Sequence, residues 1–226
     1  MMKETITILT LSKGRMKAEA EKVFKKNKLK ITRKSERSLI GSIKGYSNIR
    51  VLYMNATEII EALGKGIGDI GISGKDLWRE SEQSIQSNIA LAKEYNFARS
   101  DLIVAVDSMW LDCVNPTDLE DISYEFYQKK KRLMRCATKF KNLAHAWFNS
   151  KGITQYELIT SLGATEAANK LTADLIVDLS STGETLRQNN LKVIGKILSS
   201  SACLFYSKKS IKKKGVKKIL KLLSKN

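Results

Sequence analysis

Histidine, cysteine and proline are scarce in this 226-residue sequence, and their shortage excludes several classes of structure. The one histidine is His145, and the three cysteines, Cys113, Cys136 and Cys203, form no C-x-x-C pair. These residues are too few and too far apart for a structural zinc site or a disulfide framework, so we expect buried thiols. Since Pro116 is the one proline and no low-complexity linker is visible, we do not expect two independent domains joined by a flexible linker.

Long apolar runs are also missing. No stretch approaches the roughly 20 apolar residues that a bilayer-spanning helix needs. The amino-terminal residues 1–5 lack the apolar core and the small-residue cleavage site of a signal peptide. We therefore expect a cytoplasmic protein without a membrane partner. Apolar residues make up 42% of the chain, which suits a globular fold with a real core, and the length suffices for two small domains.

Acidic residues are in the minority, with 23 Asp and Glu against 40 Lys and Arg and a formal net charge of +17. The electrostatic field of this net positive charge attracts nucleic acid, phosphorylated small molecules or an acidic partner protein. Charge alone does not show which of these classes binds. The basic residues are spread through the chain without an aromatic-interleaved RNA motif, so we expect no nucleic-acid partner.

The carboxy-terminal residues 210–225 have the pattern of one basic amphipathic helix. Val216, Ile219, Leu220 and Leu223 share a face, and lysines cover the rest. Such a helix can lie on a membrane or on RNA. Packing of its apolar stripe on its own domain or on a dimer mate is the more common arrangement and is our expectation.

Short runs rich in Ile, Val and Leu alternate with helix-like stretches along the chain. Strands are predicted at residues 5–9, 50–54, 69–73, 101–106, 132–137, 156–161 and 173–179, with two more within 192–206. Helices are predicted at 16–26, 57–65, 142–150 and 165–171, and from residue 75 onward. This alternation predicts an α/β fold of parallel sheets covered by helices. We expect a first lobe of residues 1–98 and 190–226, and a second lobe of 99–189.

Two strand-to-helix turns have the form of a phosphate site, in which the N–H groups at a helix start point at an anion. The first is L-S-K-G-R-M at 11–16, where Gly14 lets the backbone come close and Lys13 and Arg15 add cations. It is not a P-loop, because the spacing G-x-x-x-x-G-K-[ST] is absent from the sequence.

The second turn is V-D-L-S-S-T-G-E-T-L at 177–186. Thr182, Gly183 and Thr185 can surround a phosphate with amides and hydroxyls, and Asp178 can accept hydrogen bonds from a ribose diol. An ordinary N-capped helix after a strand explains this stretch equally well.

The pattern D-x-x-x-T-G-x-T resembles the phosphoribosyl diphosphate loop of phosphoribosyltransferases. With S-K-G-R-M near the start, G-D-I-G-I-S-G-K-D at 68–76 and A-T-K-F-K-N-L at 137–143, the chain resembles the ATP phosphoribosyltransferase family, in its short catalytic form. The resemblance implies two α/β lobes like a type II periplasmic binding protein, with parallel or mixed sheets and a central cleft. It also implies transfer of phosphoribose from phosphoribosyl diphosphate to N1 of ATP, in the first step of histidine biosynthesis.

The resemblance further implies Mg²⁺ carried by the diphosphate rather than by protein ligands. Its implied partners are a second copy of the chain, as a homodimer, and a histidyl-tRNA-synthetase-like regulatory subunit, in a hetero-octamer. Arg15 and Arg37 match arginines expected to act on phosphates during catalysis. The matched positions for phosphoribosyl diphosphate are Glu166, Asp178, Ser181, Thr182, Gly183, Glu184 and Thr185, and those for ATP are Lys13, Gly14, Asp69, Gly71 and Lys75.

Some positions leave alternatives open. Asp69 and Lys75 fit structural roles, at a strand end and a helix cap, equally well. The family often has an arginine where this chain has Asn55, and its G-S-V-E is G-A-T-E at 163–166. A non-catalytic protein of the same fold that binds phosphorylated ligands is therefore the alternative function.

Overall fold

A computed structural model describes residues 4–161 and 173–225, which fold into two compact α/β units. One unit contains the residues up to Ala98 and those from Ser201 onward, and the other is Arg99–Ser200. Each unit has its own sheet with helices packed on it, as the alternation of apolar strands and helices predicted. Among the helices in the described ranges, none combines the length and the apolar character that a membrane span requires.

The first unit is built on a seven-stranded sheet. In chain order its strands are β1 (Ile6–Leu11), β2 (Ile31–Arg33), β3 (Ile40–Ile43), β4 (Tyr46–Met54), β5 (Ile70–Gly74), β6 (Ile89–Glu94) and β12 (Ala202–Ser207). They lie in the order β2-β3-β4-β1-β5-β12-β6. Because β1 runs parallel to both β4 and β5, these three strands end at one side of the sheet, which we call the first carboxyl edge.

Helices enclose this sheet and complete its core. They are α1 (Lys17–Lys26), α2 (Ala56–Gly64), α3 (Lys75–Glu80), α4 (Gln83–Ser87), a 3₁₀ helix (Lys208–Lys212) and a C-terminal helix (Val216–Leu223). Every residue of β1 is buried. Phe24 of α1 and Ile59 and Leu63 of α2 belong to the same buried cluster. A central strand that is buried along its whole length is covered on both faces, which is the usual state of a parallel strand.

The second unit contains a five-stranded sheet in the order β11-β7-β10-β8-β9, whose strands are β7 (Ser100–Asp107), β8 (Met134–Thr138), β9 (Tyr156–Thr160), β10 (Leu175–Ser180) and β11 (Leu191–Ser200). Its described helices are α5 (Pro116–Lys130), α6 (Lys141–Ser150) and α7 (Glu184–Gln188). Strands β9, β8 and β10 are mutually parallel, whereas β7 and β11 are antiparallel to their neighbours. The parallel strands therefore end together at what we call the second carboxyl edge.

The chain passes from the first unit to the second after Ala98 and returns later, and the point of return differs from the expected one. It lies between Ser200 and Ser201, later than the expected break between residues 189 and 190. The reason is that β11 pairs along its length with β7 and so belongs to the second sheet. The two strands expected within 192–206 exist, but the chain changes unit between them.

Several elements were not predicted. Helix α5 contributes little apolar surface, since Leu119 and Ser123 are its buried residues, and this weakens its periodic signal. The β2–β3 hairpin and β6 are short edge elements of the first sheet with mixed exposure. The helix predicted at 165–171 lies outside the described residues.

The three cysteines are free and buried, as expected. Burial raises the pKa of the Cys113 thiol to about 11 and that of Cys203 to about 12. Since the thiolate is the reactive form, these side chains serve as packing groups.

The C-terminal helix packs its apolar stripe on its own unit, which confirms that expectation. Val216, Ile219, Leu220 and Leu223 are all buried in the core of the first unit. At the end of the helix, Tyr95 Oη donates a hydrogen bond to the Leu223 carbonyl at 3.0 Å. The apolar face is therefore not free to enter a membrane, and the lysines form a solvated outer face.

A buried carboxylate, Asp69, ties the carboxy-terminal segment to the sheet. It is 2% exposed and stands just before β5, at the opposite side of the sheet from the first carboxyl edge. Its carboxylate accepts hydrogen bonds from the Thr7 amide at 2.7 Å and from Ser210 Oγ at 2.5 Å. Lys213 Nζ lies 2.9 Å from Asp69 Oδ1. These contacts favour the strand-end role for Asp69.

We predict that Asp69→Ala lowers the free energy of unfolding by about 3 kcal/mol, because it leaves buried donors without an acceptor. Urea unfolding measures this, with Asp112→Ala as a control at an exposed carboxylate. An unchanged unfolding free energy together with a raised KM for ATP would instead assign Asp69 to the nucleotide site.

Candidate active site

The turn at 177–186 lies at the second carboxyl edge. Val177 of β10 is in register with Thr138 of β8, and Thr138 is in register with Thr160 of β9. Asp178 follows this row near the end of β10, and the chain then turns into α7. Ligands of open α/β sheets bind outside the carboxyl ends of their strands, so the turn is at the expected place.

The turn is shaped by its own polar side chains. Gly183 has a φ of 74° and directly precedes α7. Its amide donates to Ser180 Oγ at 3.1 Å, and the Glu184 amide lies 3.4 Å from Thr182 Oγ1. A methyl group built on Gly183 would meet no atom within 4 Å. The backbone at this glycine is therefore open to a ligand.

The exposure of the loop also fits a ligand site. Ser181, Thr182 and Thr185 are exposed, and Asp178 is half-buried with its Oδ1 accepting the Leu179 amide at 2.8 Å. Glu184 turns back onto its own helix, where its carboxylate accepts from Arg187 Nη2 and, at 3.1 Å, from Gln188 Nε2. The structure thus brings six of the seven residues matched for phosphoribosyl diphosphate together in one loop. Glu166, the seventh, lies outside the described residues.

At the other end of the second sheet an ion pair fixes the same strands. Arg132 holds the carboxylate of Asp174 in a fork, with distances of 2.7 and 2.9 Å, and the Arg135 amide donates to it at 2.8 Å. Burial raises the pKa of Asp174, but the hydrogen bonds from Arg132 and Arg135 and their charge together hold it below its ordinary value. This clamp ties the starts of β8 and β10 together and so fixes the register of the loop that follows.

The turn S-K-G-R lies at the first carboxyl edge, directly after β1. Ser12 donates to the Met54 carbonyl of β4 through both its amide, at 2.9 Å, and its hydroxyl, at 3.2 Å. Gly14 has a φ of 96°, and no atom lies within 4 Å of a methyl group built on it. Lys13, Gly14 and Arg15 are exposed. The structure therefore presents an open glycine turn flanked by two cations.

Arg37 reaches the same edge through the β2–β3 connection. Ile40 at the start of β3 is in register with Leu52, and the Tyr53 amide donates to the Leu39 carbonyl at 2.9 Å. The connection therefore lies beside the end of β4. Next to it is a cavity of about 520 Å³, lined by Thr32, Arg33, Lys34, Ser38, Ile40, Gly41 and Ser42.

The remaining residues matched for ATP do not all reach this edge. Lys75 begins α3 after β5, and its ammonium donates to Glu94 Oε2 at 3.1 Å. Gly71 is buried in the middle of β5, where an added methyl group would lie 2.8 Å from Ile59 Cγ2. Its role is close packing of α2 on the sheet. Asp69 is bound at the opposite end of β5, as described above. Lys13, Gly14 and Lys75 are thus brought to one edge, whereas Asp69 and Gly71 are not.

Asn55, where the family often has an arginine, has a local role. Its Oδ1 accepts the Glu58 amide at 2.8 Å, and Glu58 Oε2 accepts the Asn55 amide at 3.0 Å. This reciprocal pair is a capping box at the start of α2. The asparagine therefore stabilises a helix start at the first carboxyl edge.

Lys139 is a residue at the second carboxyl edge to which the sequence reasoning gave no role. It follows β8 inside the motif A-T-K-F and is exposed between two buried neighbours, Thr138 and Phe140. The signal that could have found it is its place shortly after the strand predicted at 132–137, inside the motif A-T-K-F.

Sequence comparisons with known proteins agree on one family. Residues 55–225 match the family model HisG, described as ATP phosphoribosyltransferase. The chain is 40% identical over 210 residues to an ATP phosphoribosyltransferase from Rhizobium etli (strain CIAT 652), covering 91% of each protein.

Solved structures show the same fold. A chain of the ATP phosphoribosyl transferase (HisG:HisZ) complex from Thermotoga maritima superposes with a TM-score of 0.77 at 23% identity, covering 97% of this chain and 96% of that one. The arginine-bound form of truncated ArgBP from T. maritima gives 0.54 at 11% identity, covering 98% and 93%. These likenesses confirm the expected two-lobed α/β fold of the periplasmic-binding-protein type. The family match and the identity to the R. etli enzyme show that this chain belongs to the ATP phosphoribosyltransferase family.

Proposed function

We propose that the loop at 178–185 binds the phosphoribosyl group of phosphoribosyl diphosphate, while cations at the first carboxyl edge bind ATP and the leaving diphosphate. The chain is a pentosyltransferase of histidine biosynthesis, and its reaction joins N1 of ATP to C1 of the ribose with release of pyrophosphate. The observation that carries the site assignment is the open glycine turn at Gly183, beside the half-buried Asp178.

The 5-phosphate fits the turn at Gly183. The first N–H groups of a helix have no partner within it, and they suit an anion that comes close to the backbone. Gly183 permits that approach because nothing lies within 4 Å of a methyl group placed there. The exposed hydroxyls of Thr182 and Thr185 add donors of the kind that phosphate oxygens accept.

The ribose fits beside Asp178. An ionised carboxylate accepts hydrogen bonds only, and a vicinal diol offers two donors at a matching distance. Asp178 comes a few residues before the phosphate turn. This separation suits ribose 5-phosphate, because its diol and its phosphate lie at different ends of the sugar. The carboxylate also stabilises the positive charge that the ribose gains as the bond from C1 to the diphosphate breaks.

The leaving diphosphate needs positive charge nearby. Negative charge gathers on the diphosphate as N1 of ATP attacks C1 from the opposite side, with inversion. Arg15 and Arg37 are guanidinium groups, which bind phosphate oxygens in a fork and keep their charge at all working pH values. Lys13 and Lys75 add positive charge for the ATP phosphates. Holding two large anions together supplies the orientation that the reaction needs, so no covalent nucleophile is required.

Magnesium fits this site as a companion of the diphosphate. Within residues 4–161 and 173–225, no group of three or more His, Cys, Asp or Glu side chains could hold a metal ion. The loop offers hydroxyls and the single carboxylate of Asp178, which suits an ion held mainly by phosphate oxygens and water. Bound in this way, Mg²⁺ would supply positive charge that offsets the charge on the departing pyrophosphate.

The proposed partners follow from the structural neighbour. The T. maritima protein was solved as a HisG:HisZ complex. We infer that this chain likewise works with a HisZ-like regulatory subunit, of histidyl-tRNA-synthetase type, in a hetero-octamer, and that alone it forms a homodimer. A cytoplasmic location suits a biosynthetic enzyme that consumes ATP.

A non-catalytic binding protein is the second candidate. It is favoured by Asn55, which occupies a position where the family often has an arginine and serves here as a helix cap. Such a protein would bind both substrates without joining them.

The direct test is turnover by the full chain. With ATP, phosphoribosyl diphosphate and Mg²⁺, the absorbance of the N1 adduct should rise, and it should rise faster with the HisZ-like partner. Asp178→Ala is the matched control and should lower the rate about 100-fold, since it removes the acceptor for the ribose. Calorimetric binding of both substrates with no product, even with the partner present, would establish the binding protein instead.

The arginines provide an independent prediction. Arg15→Ala and Arg37→Ala should each lower kcat about 100-fold, because each removes a cation from the developing charge on pyrophosphate. Steady-state kinetics measures this. Arg50→Ala is the control, since Arg50 lies within β4 and its Nη2 donates to Thr7 Oγ1 at 3.3 Å, away from the carboxyl edge. If Arg15→Ala and Arg50→Ala have equal effects, the assignment of Arg15 is wrong.

A further inference from the structure

Lys139 directly follows β8, the strand that pairs in parallel with the strand carrying Asp178. Thr138, the last residue of β8, and Val177 of β10 are in register as a parallel pair, and Lys139 and Asp178 are the residues that follow this pair. Both therefore lie at the second carboxyl edge, where Lys139 is exposed and Asp178 is half-buried. The ammonium thus belongs to the same strand ends as the proposed ribose site.

The backbone around Lys139 is held firmly. Thr138 is fully buried, and its Oγ1 accepts the Phe140 amide at 2.9 Å while its carbonyl accepts the Ser161 amide at 3.3 Å. Phe140 is 4% exposed and precedes α6. With both neighbours buried and hydrogen-bonded, Lys139 has to project from the strand end into solvent. Its main chain is therefore preorganised for binding.

The ammonium of Lys139 lacks an acidic partner in the part of the chain that the structure describes. The ion pairs found there involve other lysines, such as Lys196 with Asp101 at 2.9 Å in the same unit. An exposed lysine at the same carboxyl edge as a loop suited to a sugar phosphate, with no ion pair to the described carboxylates, is available for an anionic ligand.

We propose that Lys139 binds the diphosphate of phosphoribosyl diphosphate, an inference that rests on the proposed function of the loop at 178–185. The diphosphate leaves from C1, which adjoins the C2 hydroxyl that Asp178 is proposed to accept. A lysine one strand away can span that distance with its four-carbon chain, and it presents a compact charge to phosphate oxygens. The 5-phosphate lies further along, at Gly183. Lys139 therefore distinguishes the diphosphate end of the substrate from the 5-phosphate end.

The test compares three ligands by calorimetry: phosphoribosyl diphosphate, pyrophosphate and ribose 5-phosphate. Lys139→Met should raise the Kd of the two diphosphate ligands about tenfold or more, and that of ribose 5-phosphate less than about threefold. Lys139→Arg should restore most of the affinity. Lys141→Met, which removes an equally exposed charge at the start of α6, is the matched control and should change each Kd less than about twofold.

Other outcomes overturn the proposal. If Lys139→Met leaves both diphosphate affinities unchanged, or weakens ribose 5-phosphate equally, Lys139 does not recognise the diphosphate. If the wild-type chain binds these ligands but forms no product, the transferase function fails while the Lys139 comparison still decides this inference. If the wild-type chain binds none of the three, both are wrong.

Discussion

The left-handed backbone at Gly183 is the constraint on which the proposed phosphate site depends. A φ of 74° lets β10 turn directly into α7, and glycine adopts it without the penalty of about 1 kcal/mol that other residues meet. Without a side chain, an anion can approach the main-chain amides themselves. The rest of the second unit fixes where this turn lies: the clamp of Asp174 with Arg132 holds the strand starts, and the parallel pairing of β8 with β10 carries that register to the carboxyl edge.

The excess positive charge lies almost entirely on the first unit, which is the unit proposed to bind ATP and the leaving diphosphate. The first unit has 27 Lys and Arg against 11 Asp and Glu, a net +16, whereas the second has 13 against 12, a net +1. Nine of the lysines follow residue 200, where no acidic residue occurs. The tie between Asp69 and Lys213 anchors that segment at the side of the sheet away from the first carboxyl edge. Such a net charge attracts anions toward the first unit from a distance, where Lys13, Arg15 and Arg37 are the cations proposed to contact them.

Much of the fold could be predicted from the sequence because short apolar runs such as 5–9 and 50–54 alternate with longer helix-like stretches, as they do in parallel sheets covered by helices. The exceptions have physical causes. Helix α5 buries little, so its signals lie at its start instead, where Asn115 caps the helix and Pro116 occupies its first turn. The passage at Ser200 is not marked in the sequence, because only Ser201 separates β11 from β12 and no glycine or proline interrupts the chain there.

Candidate site residues could be inferred from the sequence where one short segment contains both a turn glycine and the polar groups beside it. The inference was weaker for residues whose contacts come from distant segments of the chain. Gly14 and Gly183 are turn glycines with open surroundings. Gly71 lies in a motif of the same appearance, but it is needed because α2 packs against it. Asp69 is a carboxylate in a motif whose partners, Thr7 and Ser210, are distant in sequence. Such long-range contacts leave no local pattern, and this is why the sequence alone left both a strand-end role and a nucleotide-site role open for Asp69.

The central claim is that the main-chain amides around Gly183 bind the sugar phosphate. Amide NMR spectra of the ¹⁵N-labelled chain, titrated with ribose 5-phosphate, test it most directly. If these amides bind the phosphate, the largest shifts occur at Gly183, Glu184 and Thr185 and saturate together. Shifts confined to other residues, with these three amides unchanged at saturation, would contradict it.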